Sequence, residues 1–133
     1  MSALPAEPMQ PRIERNPVLI ADDDPDVRTM VRMLLELDGH VVIEAKDGTS
    51  AWEMIETHGP SVVVADVQMP GLTGLQLCRK VRSSGRDGVK IIVYTAGMAT
   101  RQESLEAGCD AYFLKTDPLP QLRETVRRFY DPT

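Results

Sequence analysis

The sequence lacks most of what would assign it to a familiar class at first sight. No apolar run is long enough to cross a bilayer, and the N-terminus has no apolar core of the signal-peptide kind, which leads us to expect a cytoplasmic protein. An excess of basic charge is lacking: acidic residues outnumber basic ones 20 to 15, the net charge is −5 at pH 7 and the basic residues are dispersed, which argues against non-specific nucleic-acid binding. Arg127-Arg128 instead suits the end of a helix, where cations meet the negative end of the dipole. There are two cysteines, Cys78 and Cys109, without CxxC spacing, so a redox motif or zinc knuckle is not indicated. They read as buried thiols of a reducing compartment. Both histidines, His40 and His58, adjoin a glycine at an element boundary, with no cysteine or serine to pair with, and we expect both on the surface.

What is present is the rhythm of one α/β domain. Residues 1–16 carry Pro5, Pro8 and Pro11 and no hydrophobic period, which predicts a disordered tail ahead of a single domain over 17–131. The start methionine and the tail lead us to expect an intact N-terminus. Apolar runs at 18–22, 41–45, 62–66, 90–95 and 111–114 read as strands. Helical patterns lie between them. Asp24 and Pro25 suit the N-cap and first position of a helix that carries Val27, Met30, Val31 and Leu34 on one face and ends at Gly39. The next covers about 49–57 and buries Ala51, Met54 and Ile55, with Trp52 half-exposed. A third uses Leu75, Leu77, Cys78 and Val81 and turns back through the glycine-containing stretch 83–88. A short fourth spans about 101–107 and stops at Gly108; a fifth begins near Pro118 and buries Leu119, Leu122, Val126 and Phe129. Strands that are apolar throughout are buried on both faces. The expectation is a (βα)5 doubly wound five-stranded parallel sheet in the order 2-1-3-4-5, a flavodoxin-like arrangement.

Three of these strands end in charge. Asp22-Asp23-Asp24 follows Val18-Leu19-Ile20-Ala21, Asp66 follows Val62-Val63-Val64-Ala65, and Lys115 follows Tyr112-Phe113-Leu114. In a parallel sheet all carboxyl ends share one edge, so these side chains meet. Only one of the three consecutive aspartates caps a helix, and Asp24 is the natural candidate. Asp66 has no helix to cap, because Val67-Gln68-Met69-Pro70 follows it. Asp22, Asp23 and Asp66 together repel unless a cation joins them, and Mg2+ suits an all-oxygen site that keeps waters. Lys115 offers a positive centre for a phosphate, Thr95 a hydroxyl, and Ala96-Gly97 room for a ligand and a movable loop. No histidine, cysteine or general base accompanies them, so hydrolysis of a foreign substrate is poorly equipped. The set suits a carboxylate that receives a phosphoryl group by in-line displacement.

These residues, in this order, resemble the receiver domain of two-component response regulators over Val18 to about Phe129. Asp22-Asp23 resembles the family's acidic pair. Asp66-Val67-Gln68-Met69-Pro70-Gly71-Leu72-Thr73-Gly74 resembles its phosphoacceptor loop, Thr95-Ala96 its hydroxyl-plus-small pair, Lys115 its lysine and Tyr112 its aromatic switch. The resemblance implies that Asp66 accepts phosphate from a phosphohistidine on a sensor histidine kinase or a histidine phosphotransfer protein. It implies Mg2+ held by Asp23, Asp66 and the main-chain carbonyl of Gln68, with Asp22 acting through water. Thr95 and Lys115 would contact the phosphoryl group; Thr95 would draw inward, Tyr112 would follow, and the face built by the fourth helix, fifth strand and fifth helix would change to bind a partner. Gln68 and Gly97, each two residues past a site residue, would tune dephosphorylation. The chain would catalyse only its own phosphorylation and dephosphorylation, would bind neither nucleic acid nor membrane, and would be a monomer or a phosphorylation-dependent dimer.

One position departs from the pattern: Thr116 follows Lys115 where the family usually has proline. A cis bond before a non-proline residue costs about 3 kcal/mol, so we expect either a trans bond with an altered loop before Pro118 or a strained cis bond. The alternatives are a pseudo-receiver that serves as a phosphorylation-independent interaction module, and a piece of a larger regulator. An aspartate-dependent phosphatase would want a second acid two residues after Asp66, where Gln68 stands, and a cap domain.

Overall fold

A computed structural model of the protein describes residues 16–131. The expected tail lies outside the described residues apart from Asn16, whose carbonyl accepts a hydrogen bond from the Tyr130 hydroxyl at 2.6 Å. The strands are β1 (Val18–Ala21), β2 (Val42–Ala45), β3 (Val62–Ala65), β4 (Lys90–Thr95) and β5 (Ala111–Leu114). The helices are α1 (Pro25–Glu36), α2 (Gly48–His58), α3 (Gly74–Ser83), α4 (Arg101–Glu106) and α5 (Leu119–Tyr130). All strand pairs are parallel and the order is β2-β1-β3-β4-β5, as expected.

Successive residues of each strand serve opposite faces, which explains the unbroken apolar runs. Leu19, Val63, Ile91 and Val93 pack with Ile55 of α2 and Leu77 and Val81 of α3. Val18, Ile20, Val62, Val64 and Ile92 pack with Val31 and Leu35 of α1 and Leu122 and Val126 of α5. Cys78 and Cys109 are both buried in the first of these clusters. Burial, then the neighbouring Cys109, pushes the Cys78 thiol up to about 12, so it stays protonated and inert.

Four of the five helices start at polar caps that the sequence supplies, and α5 starts after Pro118 without a side-chain cap. Asp24 accepts from the Asp26 N–H and Asp47 from the Ser50 N–H, while Thr73 and Thr100 each form a reciprocal capping box with the residue three later. Three details differ from expectation. β1 and β3 stop one residue before Asp22 and Asp66. α1 ends at Glu36, and Gly39 closes the following turn at a left-handed φ of 85°. His40 is buried, not on the surface: its ring lies 4.9 Å from that of Tyr130, a residue of the last helix that local sequence does not bring near. His58 is exposed and Trp52 half-buried, as expected.

The strand-end loops are held tightly. The Gly74 N–H donates to the Val67 carbonyl, and a Cβ on Gly74 would lie 2.2 Å from the Asp66 carbonyl oxygen. The clash is with backbone, so the loop carrying Asp66 must shift to admit any side chain. Gly74→Ala is expected to cost about 1–3 kcal/mol of stability, read from urea denaturation midpoints. A variant as stable as wild type would show this loop to be looser than its contacts imply.

Candidate functional site

The sheet fixes the backbone of three charged residues. The Asp22 N–H donates to the Ala45 carbonyl at 3.1 Å, the Asp66 N–H to Ala21 at 2.9 Å, and the Lys115 N–H to Thr95 at 2.7 Å. In each case the acceptor is the last residue of the neighbouring strand, so the ladder continues one step past the strand end. The charged side chains therefore project from the same rim.

Their side chains meet. Lys115 Nζ lies 2.8 Å from Asp22 Oδ2 and 3.3 Å from Asp66 Oδ2. Asp22 and Asp66 are nearly buried, whereas Asp23 is exposed at the mouth. One carboxylate oxygen from each of Asp22, Asp23 and Asp66 falls within 4.8 Å of the others. Two oxygens on opposite sides of a Mg2+ ion lie about 4.2 Å apart, twice the ~2.1 Å bond, so a modest closure suffices to bind it. Asp22 is the most engaged of the three: its Oδ1 accepts from the Asp24 N–H at 2.9 Å while Oδ2 faces Lys115. Asp24 itself only caps α1, as expected.

The electrostatics favour a cation. Three carboxylates against one ammonium leave two excess negative charges. Burial, then repulsion by Asp22, raises the Asp66 carboxyl above its ordinary range, and the Lys115 charge offsets this only in part. For Lys115, burial works against the ammonium, but the hydrogen bond and charge of Asp22, and then Asp66, outweigh it and raise the pKa. Lys115 is thus a firm cation beside a carboxylate that is uncomfortable when ionised. The residues present fit a hard divalent ion: all donors are oxygen, and the charge deficit matches.

The remaining expected residues fall at the same rim or just behind it. Thr95 is fully buried, and its Oγ1 accepts from the Gly97 N–H at 3.2 Å and the Met98 N–H at 3.3 Å. Gly97 takes a left-handed φ of 119° with open space where a Cβ would lie. Gln68 is exposed in the loop after Asp66. Tyr112 is not part of the acidic cluster. Its ring is already buried, its hydroxyl donates to the Ala99 carbonyl at 2.7 Å, and the Arg101 guanidinium lies 5.2 Å from the ring centre. The described residues contain no cis peptide bond, so Lys115-Thr116 is trans, one of the two expected forms. The altered loop is closed by Asp117, whose carboxylate accepts from the Leu114 N–H at 2.8 Å and whose N–H donates to the Leu114 carbonyl at 2.9 Å.

Two contacts lay beyond the reach of sequence reasoning. Arg28 Nη1 donates to the Asp22 main-chain carbonyl at 2.6 Å, and Ala99 supplies the carbonyl that anchors Tyr112. Neither residue type carries a local signal at its position.

Comparison with known proteins gives a consistent result. Residues 18–127 match the family model described as the response regulator receiver domain. The response regulator MprA of Mycobacterium ulcerans is 41% identical over 112 residues, covering 83% of this chain and 48% of the relative. The chain therefore spans about half the length of the curated relatives it matches. Among solved structures, the receiver domain of Francisella response regulator 1452 superposes with a TM-score of 0.82 at 29% identity, covering 89% of this chain and 98% of that one. A CheY-like receiver domain protein of Methanospirillum hungatei gives a TM-score of 0.80 at 27% identity, over 90% and 96% of the two chains.

The raised pKa of Asp66 has a consequence for stability. The folded protein holds the Asp66 proton more tightly than the unfolded chain, so metal-free stability falls as pH rises from the ordinary carboxylate range, near 4, through the folded value. Asp66→Asn removes that loss. The variant is expected to melt about 2–5 °C above wild type near pH 8 without metal, with the gap narrowing toward pH 4. Equal melting temperatures at the higher pH would contradict the raising of the Asp66 carboxyl by its burial and by the Asp22 charge.

Proposed function

The chain belongs to the response regulator receiver domain family, and on that premise we propose that it is a phosphorylation switch with Asp66 as phosphoacceptor. The carrying observation is the convergence of Asp22, Asp23 and Asp66 within 4.8 Å beside the Lys115 ammonium. The donor is a phosphohistidine of a sensor kinase or a phosphotransfer protein. An Asp66 carboxylate oxygen attacks phosphorus in line, the P–N bond breaks, and neutral imidazole leaves after taking a proton.

Asp23, Asp66 and the Gln68 carbonyl would hold Mg2+, with Asp22 acting through water. The occupation of both Asp22 oxygens by Lys115 and the Asp24 N–H supports that indirect role. Bound there, the ion would supply charge neutralisation and a site for one phosphoryl oxygen. Lys115, held by the sheet at its N–H, takes a second oxygen as a fixed cation. Thr95 gives its hydroxyl hydrogen to a third, and the loop 96–100 follows it. Because Tyr112 is tied to Ala99 in that loop, the movement carries to the face of α4, β5 and α5, which engages a downstream protein.

The protein acts on no foreign substrate; it promotes its own phosphorylation and, through Gln68 and accessible Gly97, its own dephosphorylation. We place it in the cytoplasm. Among the described residues no helix is long and apolar enough to cross a membrane.

Incubation with a small phosphodonor is expected to add one phosphoryl mass to wild type only when Mg2+ is present, and none to Asp66→Asn. Equal labelling of both proteins would refute Asp66 as the acceptor. Gln68→Ala is expected to slow loss of the acyl phosphate several-fold; an unchanged decay would remove Gln68 from that step.

A further inference from the structure

The sheet does not hold every residue at the site. Asp22, Asp66 and Lys115 each give an N–H to a neighbouring strand, but Asp23 lies one residue beyond that support. Its side chain is exposed, and among the described residues no hydrogen bond or ion pair fixes its carboxylate. The direction of that carboxylate is therefore set by its own backbone, and the nearest handle is the Asp22–Asp23 peptide.

Arg28 grips that handle. Its Nη1 donates to the Asp22 carbonyl oxygen at 2.6 Å, while its Nε donates to Glu44 Oε1 at 3.0 Å. One planar fork thus ties the loop after β1 to the outer strand β2. Glu44 is held in turn by a close ion pair with Arg32, which also pairs with Glu36 at 3.1 Å. The Arg28 side chain is 18% exposed, so this contact is partly shielded from solvent. Arg32 shares the Glu44 partner but reaches only Val42 and Glu36 otherwise, never the loop that carries Asp23.

We infer that Arg28 is a positioning residue for the cation site: by fixing the Asp22–Asp23 peptide against Glu44, it aims the Asp23 carboxylate at the hollow shared with Asp66. This goes further than, and depends on, the Mg2+-binding reading given above. Residues that orient metal ligands without touching the metal are worth about 10–100-fold in affinity. Arg28 acts on a ligand through one peptide bond, so the lower end of that range applies.

The test compares Arg28→Met with Arg32→Met in the full chain, measuring Mg2+ affinity by calorimetry and the melting temperature without metal. Both variants lose one arm of the Glu44 network, so both should lower the melting temperature similarly. Only Arg28→Met should weaken Mg2+ binding, by about tenfold. If Arg28→Met binds Mg2+ as wild type does, or if Arg32→Met weakens binding equally, Arg28 has no positioning role. Should Arg28→Met not fold, Arg28→Lys keeps the charge but replaces the fork with one nitrogen. It is expected to lose affinity at least threefold, and unchanged affinity would overturn the inference. A wild type that binds no Mg2+ overturns the functional reading and this one together, whereas wild-type binding with an unaffected Arg28 variant overturns this one alone.

Discussion

The buried part of the acidic rim depends on three backbone hydrogen bonds that run one step past the ends of the strands. They place Asp22, Asp66 and Lys115 before any side chain chooses a rotamer. Flexible loops would let like charges drift apart and dissipate their repulsion. A sheet cannot relax in this way, so burial and then the retained repulsion keep the Asp66 pKa raised in the folded state, and the rim demands positive charge. The interior apolar strands thus contribute more than stability: they hold an arrangement that the charged groups alone would not adopt. The cost is bounded because Lys115 already offsets part of it, and because Asp23, the third acid, is left in water.

A second set of contacts links this rim to the opposite end of the loop after β4. Thr95 holds the N–H groups of Gly97 and Met98, while Tyr112 holds the carbonyl of Ala99. One short segment is pinned at both ends by side chains from adjacent strands, so a pull on Thr95 is felt at Tyr112 without any intervening wire. Tyr112 begins from a buried position, so in the proposed cycle the change is a re-setting of this segment more than a flip of the ring from solvent. Swinging a two-state equilibrium from about one in a hundred to the reverse takes about 5 kcal/mol. A few charge-assisted hydrogen bonds to a phosphoryl group are of that size.

Much of this could be read from residue order because the informative groups lie at strand ends, where the alternation of apolar runs and breakers is sharpest. The bounds of β4 and β5 match the expectation at both ends. Asp22 and Asp66 close the apolar runs 18–22 and 62–66 but stand just outside β1 and β3, because each gives its N–H to the ladder while the chain turns away. The carboxylates and Lys115 were legible since strand ends seldom carry charge without a reason. What sequence could not supply was contact between distant segments. His40 is covered by Tyr130, and Arg28 finds Glu44 in the next strand. The turn after Lys115 shows the same limit: the missing proline was evident, but that Asp117 would close the loop through both its N–H and its carboxylate was not.

The network that joins Arg28, Glu44 and Arg32 has a further effect through where it sits. β2 is one of two outer strands in an open sheet, and such edges are templates for recruiting a strand from another molecule. β2 is only four residues long and carries a paired carboxylate and two guanidinium groups over its flank. Another backbone approaching that edge would have to strip water from fixed charges for few new ladder bonds. The same cluster that steadies the acidic loop therefore also sets fixed charge beside this margin of the sheet, which disfavours the addition of a foreign strand there.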